Sequence, residues 1–257
     1  MGDDSSMLDI SGLSVRFPSN DGTQSKRYVL DRLSLTVSKG EFVCIVGPSG
    51  CGKTTLLNSI AGFQPYEGQL LFRGKQVTRP DRERGVMFQE YALFPWYTVE
   101  ENVALGPALS GIGRRERAKL ARDYIRLVGL SGFERAYPNR LSGGMKQRVS
   151  LARMLINEPA IALLDEPFAA LDEQNRETLQ GELLRIREQS LLTCLFITHS
   201  LSEAVYLADR VIVLLPAPAG VALDVPIELP RSARDRDDIR FGRYVQQIRQ
   251  AMRGAVS

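Results

Sequence analysis

Two stretches of this sequence carry residue types and spacings suited to phosphate chemistry. Gly47-Pro48-Ser49-Gly50-Cys51-Gly52-Lys53-Thr54-Thr55 fits the pattern Gly-x-x-x-x-Gly-Lys-Thr and directly follows the apolar run Phe42-Val43-Cys44-Ile45-Val46. A strand that ends in such a loop and opens a helix at Thr54 turns successive backbone N–H groups toward one point, where they can hold a phosphate. Gly47, Gly50 and Gly52 permit tight turns and a close approach of backbone to anion. Lys53 then meets the β- and γ-phosphates as a point charge, and Thr54 sets its hydroxyl on a magnesium ion. The second stretch, Ile161-Ala162-Leu163-Leu164-Asp165-Glu166, is an apolar strand that ends in adjacent carboxylates, costly to bury without a cation nearby. Asp165 suits magnesium. Glu166, one residue on, is placed to orient and polarise a water for in-line attack on a γ-phosphate.

Three weaker features lie between and beyond these. Gln89 closes an expected strand at Gly85–Phe88. Leu141-Ser142-Gly143-Gly144-Met145-Lys146-Gln147-Arg148 sets a hydroxyl and two glycines before an expected helix at Val149–Ile156. Such a helix start can bind an anion through its free N–H groups, although Ser-Gly-Gly is also ordinary linker chemistry. His199 is the chain's single histidine and follows the apolar run Leu192–Thr198. A strand's carboxyl end is where open α/β sheets bind ligands.

The elements that must position these residues follow from periodicity. Leu8–Phe17 and Leu30–Val37 alternate apolar and polar residues, as half-buried antiparallel strands do. The polar stretch between them, Pro18–Lys26, reads as a loop. Phe17 stands at its edge, where it either stacks on an adenine ring or closes off the strand; Tyr28 competes for the stacking role. The helix after the phosphate loop ends at Gly62. Strands are expected at Gln69–Phe72, Arg210–Leu215 and Val221–Leu229, the last flanked by prolines as an edge strand would be. Ala118, Ala121, Ile125 and Val128 recur at helical spacing before Gly129 and define a helical region. Phe241, Val245, Ile248 and Met252 give a terminal helix an apolar stripe opposite its arginines. Glu90-Tyr91-Ala92-Leu93-Phe94-Pro95-Trp96 holds the only tryptophan, and an aromatic-rich loop of this kind marks a protein contact or covers a local core.

Composition narrows the classes. The chain has 257 residues, with 33 Lys and Arg against 30 Asp and Glu, and this net charge of +3 argues against a nucleic-acid binder. Arginines concentrate late, seven of them against three aspartates between Arg231 and Arg253, a surplus suited to an acidic partner, a lipid surface or a solvated tail. Three cysteines without a Cys-x-x-Cys pair support neither a disulfide framework nor a zinc site and fit a reducing compartment. The acidic start, Met1 to Ser6, leads into no apolar segment, so no secretory signal is expected. No apolar run approaches the ~18 residues that span a bilayer, so membrane association is expected to go through a partner.

In this order, a phosphate loop, a glutamine-ended strand, Leu-Ser-Gly-Gly, an Asp-Glu strand end and a strand-end histidine resemble the ATP-binding subunit of an ABC transporter across nearly the whole chain. Phe88–Trp96 and Pro230–Arg236 are similar to the nitrate, sulfonate, taurine and bicarbonate importer branch. The resemblance implies an α/β P-loop NTPase fold: a RecA-like core, an antiparallel β subdomain and an α-helical subdomain. It reads residues 1–257 as one domain, with the helical subdomain at about 91–157 and a short tail at 230–257. It makes Gly47 to Thr55 the Walker A loop, Gln89 the Q-loop glutamine and a magnesium ligand, and Leu141 to Met145 the signature sequence. It makes Asp165 the Walker B aspartate, Glu166 the catalytic base, Ala169 to Asp172 the D-loop, His199 the switch histidine and Phe17 the adenine-stacking aromatic. Met145 departs from the family's glutamine, Ser200 from its aspartate after the histidine, and the loop after Phe17 is longer than usual.

The implied cofactors are ATP and Mg2+. The implied partners are a second copy of the ATPase (or a close homologue) arranged head to tail, transmembrane permease subunits and, indirectly, a solute-binding protein. In that arrangement Ser142, Gly143 and Gly144 cap the γ-phosphate of the neighbour's nucleotide. The expected function is ATP hydrolysis driving import of a small oxyanion, at the cytoplasmic face of the cell membrane. The alternatives are an exporter motor and a soluble ABC-type ATPase that acts on nucleic acid or ribosomes.

Overall fold

A computed structural model describes residues 6–18, 26–88, 91–169, 171–230, 234 and 236–253. It divides into two compact units, Met1–Asp81 with Thr193–Ser257, and Arg82–Leu192.

In the first unit, β1 (Ser6–Pro18) and β2 (Lys26–Ser38) pair antiparallel, and β4 (Glu67–Phe72) and β5 (Lys75–Gln76) extend the sheet to the order β2-β1-β4-β5. Leu8, Ile10, Leu13 and Val15 of β1 and Leu30, Leu33, Leu35 and Val37 of β2 fill its buried face. The spacing slips by one residue between Ile10 and Leu13, where the register shifts at Gly12, whose φ is 61°. A bulge there keeps both apolar sets on one face.

The unit's other strands run in the order β10 (Gly220–Pro226), β9 (Arg210–Leu215), β3 (Phe42–Val46), β8 (Thr193–Ile197). β3 is parallel to both β8 and β9, and β9 and β10 form an antiparallel pair. All five residues of β3 and of β8 are buried, which is why these strands read as unbroken apolar runs rather than alternating ones. The helices α1 (Lys53–Ala61), α7 (Leu201–Leu207) and α8 (Ile239–Arg253) complete the unit. Gly62 ends α1 at φ 86°, with its N–H donating to the carbonyls of Asn58 and Ser59. The α8 stripe buries Phe241 and Ile248, with α8 packed against α7, β9 and β10.

In the second unit, β6 (Arg84–Met87) runs parallel to β7 (Ile161–Asp165) from Arg84↔Ile161 to Met87↔Leu164. Its helices are α2 (Val99–Val103), α3 (Leu105–Leu109), α4 (Arg114–Leu127), α5 (Gly143–Leu155) and α6 (Glu173–Ser190). α2 packs on α4 and α5, and α5 packs on β6. A Cβ at Gly85 of β6 would press to 2.8 Å from the Met154 sulfur and Pro159, so glycine lets strand and helix close. Two features differ from the expectation. The helix after Leu-Ser-Gly-Gly starts at Gly143, not at Val149, because Ser142 caps it there. α6, 18 residues long, escapes a periodicity reading because only Leu179, Gln180, Leu183 and Ile186 of it are buried, too sparse a stripe for a clear pattern.

Candidate nucleotide site

The phosphate loop leaves β3 at Gly47, where a Cβ would collide with the Leu214 carbonyl and lie 2.8 Å from Cys51 Sγ. Gly52, the N-cap of α1, sits at φ 101°, and no side chain caps the helix. The first intrahelical bond is Leu56 N–H to the Gly52 carbonyl at 2.8 Å. The N–H groups of Lys53, Thr54 and Thr55 therefore point out of the helix start with no intrahelical acceptor, and an anion can take them. Ser49, Gly50 and Thr54 are exposed, and Pro48 and Thr55 are half-buried.

Lys53 is buried, and its ammonium donates at 2.9 Å to each of the Gly47 and Pro48 carbonyls, with Cys51 Sγ at 3.9 Å. Neutral carbonyls are weaker partners for an ammonium than a phosphate oxygen, so the cation is held in the loop yet remains exchangeable. Burial raises the Cys51 pKa and Lys53 opposes it; Cys44 in β3, fully enclosed, is raised well above the ordinary thiol value chiefly by burial.

In the same unit, β8 brings His199 beside this loop. The strands β3 and β8 are in parallel register up to Ile45↔Ile197, and Thr198 N–H donates to the Ile45 carbonyl at 3.3 Å. Loop and histidine thus leave the carboxyl ends of neighbouring strands. Ser200, the departure after the histidine, caps α7, its hydroxyl accepting from Glu203 N–H at 3.3 Å. Thr198 Oγ1 donates to the buried Glu203 carboxylate at 2.6 Å and accepts from Ser200 N–H at 3.0 Å. The turn carrying the exposed His199 is therefore fixed from both sides. Ser-x-x-Glu at 200–203 is a helix-start signal that could have revealed it.

Phe17 and Tyr28 are both 38 % exposed. The Arg16 guanidinium lies 4.9 Å over the Tyr28 ring and is anchored to Glu67 through Nε at 3.1 Å. One face of Tyr28 is thereby taken.

In the second unit, Asp165 ends β7 buried and Glu166 follows half-buried at φ 48°. A glutamate in this left-handed region costs about 1–3 kcal/mol, a strain that sharply redirects the chain after the strand. The turn continues through Ala169 N–H to the Glu166 carbonyl and Leu171 N–H to the Phe168 carbonyl, both at 3.2 Å. Asp172 caps α6 by accepting from Asn175 N–H at 2.9 Å, and that bond draws its pKa down. Leu171 lies against the start of α5: a Cβ on Gly144 would be 2.8 Å from Leu171 Cδ2. The Ser-Gly-Gly start and the turn after the carboxylates are thus packed together, which the sequence spacing did not indicate. Ser142 is exposed and accepts from Met145 N–H at 3.3 Å, leaving the Gly143 and Gly144 N–H groups without an intrahelical acceptor. Gln89, the expected Q-loop glutamine, lies outside the described residues.

Each donor by itself suits the expected metal. The Thr54 hydroxyl in the first unit and the Asp165 carboxylate in the second are hard oxygen ligands of the kind magnesium takes, and magnesium keeps waters and phosphate oxygens rather than a full protein cage. Among the described residues, no group of three or more His, Cys, Asp or Glu forms such a cage.

A family model described as "ABC transporter" matches residues 30–169, over half of the chain. The chain belongs to the ABC transporter family. It is an ATPase cassette of the transport-coupled kind, with the α/β P-loop fold of that family. It is 53 % identical over 220 residues to an uncharacterised ABC transporter ATP-binding protein of Methanocaldococcus jannaschii, covering 85 % of this chain and 82 % of that one. It is 41 % identical over 224 residues to the aliphatic sulfonates import ATP-binding protein SsuB of Bacillus cereus, covering 87 % of each. Among solved structures, the ABC transporter cassette MJ0796, described as dimeric, superposes at a TM-score of 0.79 with 30 % identity over 87 % of this chain and all of that one. The same cassette in a dimeric post-hydrolysis state, bound to ADP and Pi, superposes at 0.76.

Proposed function

We propose that this cassette is the motor subunit of an importer that carries a small oxyanion of the sulfonate class through separate membrane-spanning subunits. The observation that carries the reading is the start of α1, where backbone donors without a cap surround a lysine bonded to its own loop's carbonyls. The sulfonate import relative, similar along 87 % of both chains, supports the cargo class. No helix among the described residues is long and apolar enough to cross a membrane, in keeping with a peripheral subunit held at the cytoplasmic face by a permease.

In this reading the chain is one ATPase domain, with a helical subdomain at about 91–157 that contains the helices from Val99 to Leu155, and a short tail at 230–257. Gly47 to Thr55 hold the triphosphate, and Lys53 exchanges the Gly47 and Pro48 carbonyls for phosphate oxygens. Phe17 stacks on adenine, favoured over Tyr28 because Arg16 already covers one face of that ring. Thr54, Asp165 and Gln89 would hold magnesium, which supplies positive charge against the phosphate oxygens. Glu166 orients a water and accepts its proton as the water oxygen bonds to the γ-phosphorus and the bond to the bridging oxygen breaks; His199 steadies the γ-phosphate. Ser142, Gly143 and Gly144 of a second copy, or of a close homologue, cap the same γ-phosphate, so ATP joins two cassettes and hydrolysis lets them part.

The test is uptake by vesicles containing this cassette with its permease and a sulfonate-loaded solute-binding protein. ATP should drive sulfonate inward, and the E166Q cassette should give none while still binding ATP. ATP-driven efflux, or ATP hydrolysis that answers to RNA or DNA and not to the permease, would overturn the proposal.

A further inference from the structure

Arg153 stands on α5, three turns after the Ser-Gly-Gly start, and its side chain is spent on a neighbouring loop. Its guanidinium donates at 2.7 Å to the Ala92 carbonyl and at 3.1 Å to the Tyr91 carbonyl, and its Cζ lies 6.0 Å from the centre of the Phe94 ring. Phe94 in turn touches Trp96 and Tyr97, with ring centres 5.6 and 5.7 Å away.

The held backbone is strained: Ala92 sits at φ 47°, a left-handed conformation that alanine rarely keeps without support. Half-buried Arg153 has no carboxylate partner among the described residues, and burial lowers its pKa. A cation enclosed with only carbonyl oxygens is a poor way to gain stability. The turn's inner shape has another anchor. The wholly buried Asn102 of α2 accepts from Phe94 N–H at 2.9 Å and donates to the carbonyls of Phe94, Tyr97 and Thr98 at 3.0–3.1 Å. Asn102 thus shapes the turn, and Arg153 ties it to α5. At its outer end Trp96 is 67 % exposed.

We infer that Arg153 is a positioning residue that locks the Tyr91–Tyr97 turn to α5, so that a nucleotide-dependent shift at the start of α5 reaches the exposed Trp96. The inference rests on the proposed reading that the α5 start meets nucleotide. A guanidinium is required because two carbonyls and a ring are engaged at once, which an ammonium cannot match.

Trp96 is the only tryptophan, so its emission reports this turn in the full-length chain. The experiment compares emission with and without a non-hydrolysable ATP analogue and magnesium, analogue affinity by calorimetry, and the thermal transition, in wild type, R153K and R153K/A92G. Wild type should respond. R153K should bind with unchanged affinity and melt cooperatively, with the response reduced at least about threefold, within the range for mutations in a coupled network. R153K/A92G should stay reduced, since glycine relieves the left-handed strain but restores no link to α5. A full response in R153K, recovery in the double variant, loss of cooperative melting in R153K, or wild-type binding without an emission change would each overturn the inference alone. Failure of wild type to bind the analogue would overturn it together with the proposed function.

Discussion

Two glycine-rich helix starts, one in each compact unit, solve the same electrostatic problem in different ways. At α1 the N-cap is Gly52 in the left-handed region, no side chain competes for the early N–H groups, and a buried lysine completes the pocket. At α5 the N-cap is Ser142, whose hydroxyl consumes the Met145 N–H, and the first turn holds two glycines and the half-buried Lys146 but no buried ammonium. The first start joins uncapped amides to a buried cation; the second keeps only part of its donor capacity, with Ser142 exposed and both glycines half-buried. Charge decides the difference, because a buried ammonium adds a charge-assisted contact that amides alone do not match. In the proposed reading the second start therefore finishes a phosphate site rather than making one.

The largest effect expected from this contrast is at Lys53. In K53A, ATP affinity should fall about tenfold to a hundredfold, the loss of a charge-assisted bond of ~1.5–3 kcal/mol, with hydrolysis below detection. Calorimetric titration checks it, and wild-type affinity in K53A would erase the proposed asymmetry. Ser142→Ala should act on stability instead of affinity. Binding of ATP to the isolated chain should stay unchanged, while the lost cap costs ~1 kcal/mol and lowers the melting temperature by about 2–4 °C. A fall in its ATP affinity equal to that of K53A would show the two starts to be equivalent.

The smallest effect separates a strand from each unit: β3, which leads into the first helix start, carries Cys44 and the loop after it Cys51, whereas β7, which follows α5, has no cysteine. Both thiols have folded-state pKa values raised by burial. A raised value means that the folded state favours the neutral thiol, so this contribution is complete below the ordinary thiol pKa and is lost as pH rises past it. Melting temperature should decline above about pH 9, the ordinary thiol value. The decline should be shallower in Cys44→Ala, and an identical slope in that variant would remove burial of this thiol as the cause.

Elements with strong local signals were legible in the sequence. The apolar runs of β3, β7, β8 and β9 stand close to their observed bounds, because a strand buried on both faces is built almost wholly of apolar residues, with polar ones at its ends. Gly62 was recognisable as a stop because few other residues take a left-handed cap. The early start of α5 was hidden because glycine is a poor helix former, and only the Ser142 hydroxyl makes Gly143 helical. The Arg153 link was hidden because 61 residues separate it from Ala92.

The sequence alone determined the phosphate loop, the paired carboxylates, the strand-end histidine and the family, because each depends on residue types at short, fixed spacings. Only the tertiary structure decided that Lys53 turns back onto its own loop, that Leu171 packs against the glycine start of α5, and that a threonine–glutamate pair steadies the turn with His199. These are contacts between side chains and backbone that only folding brings within reach, and no periodicity along the chain encodes a hydrogen bond made across space.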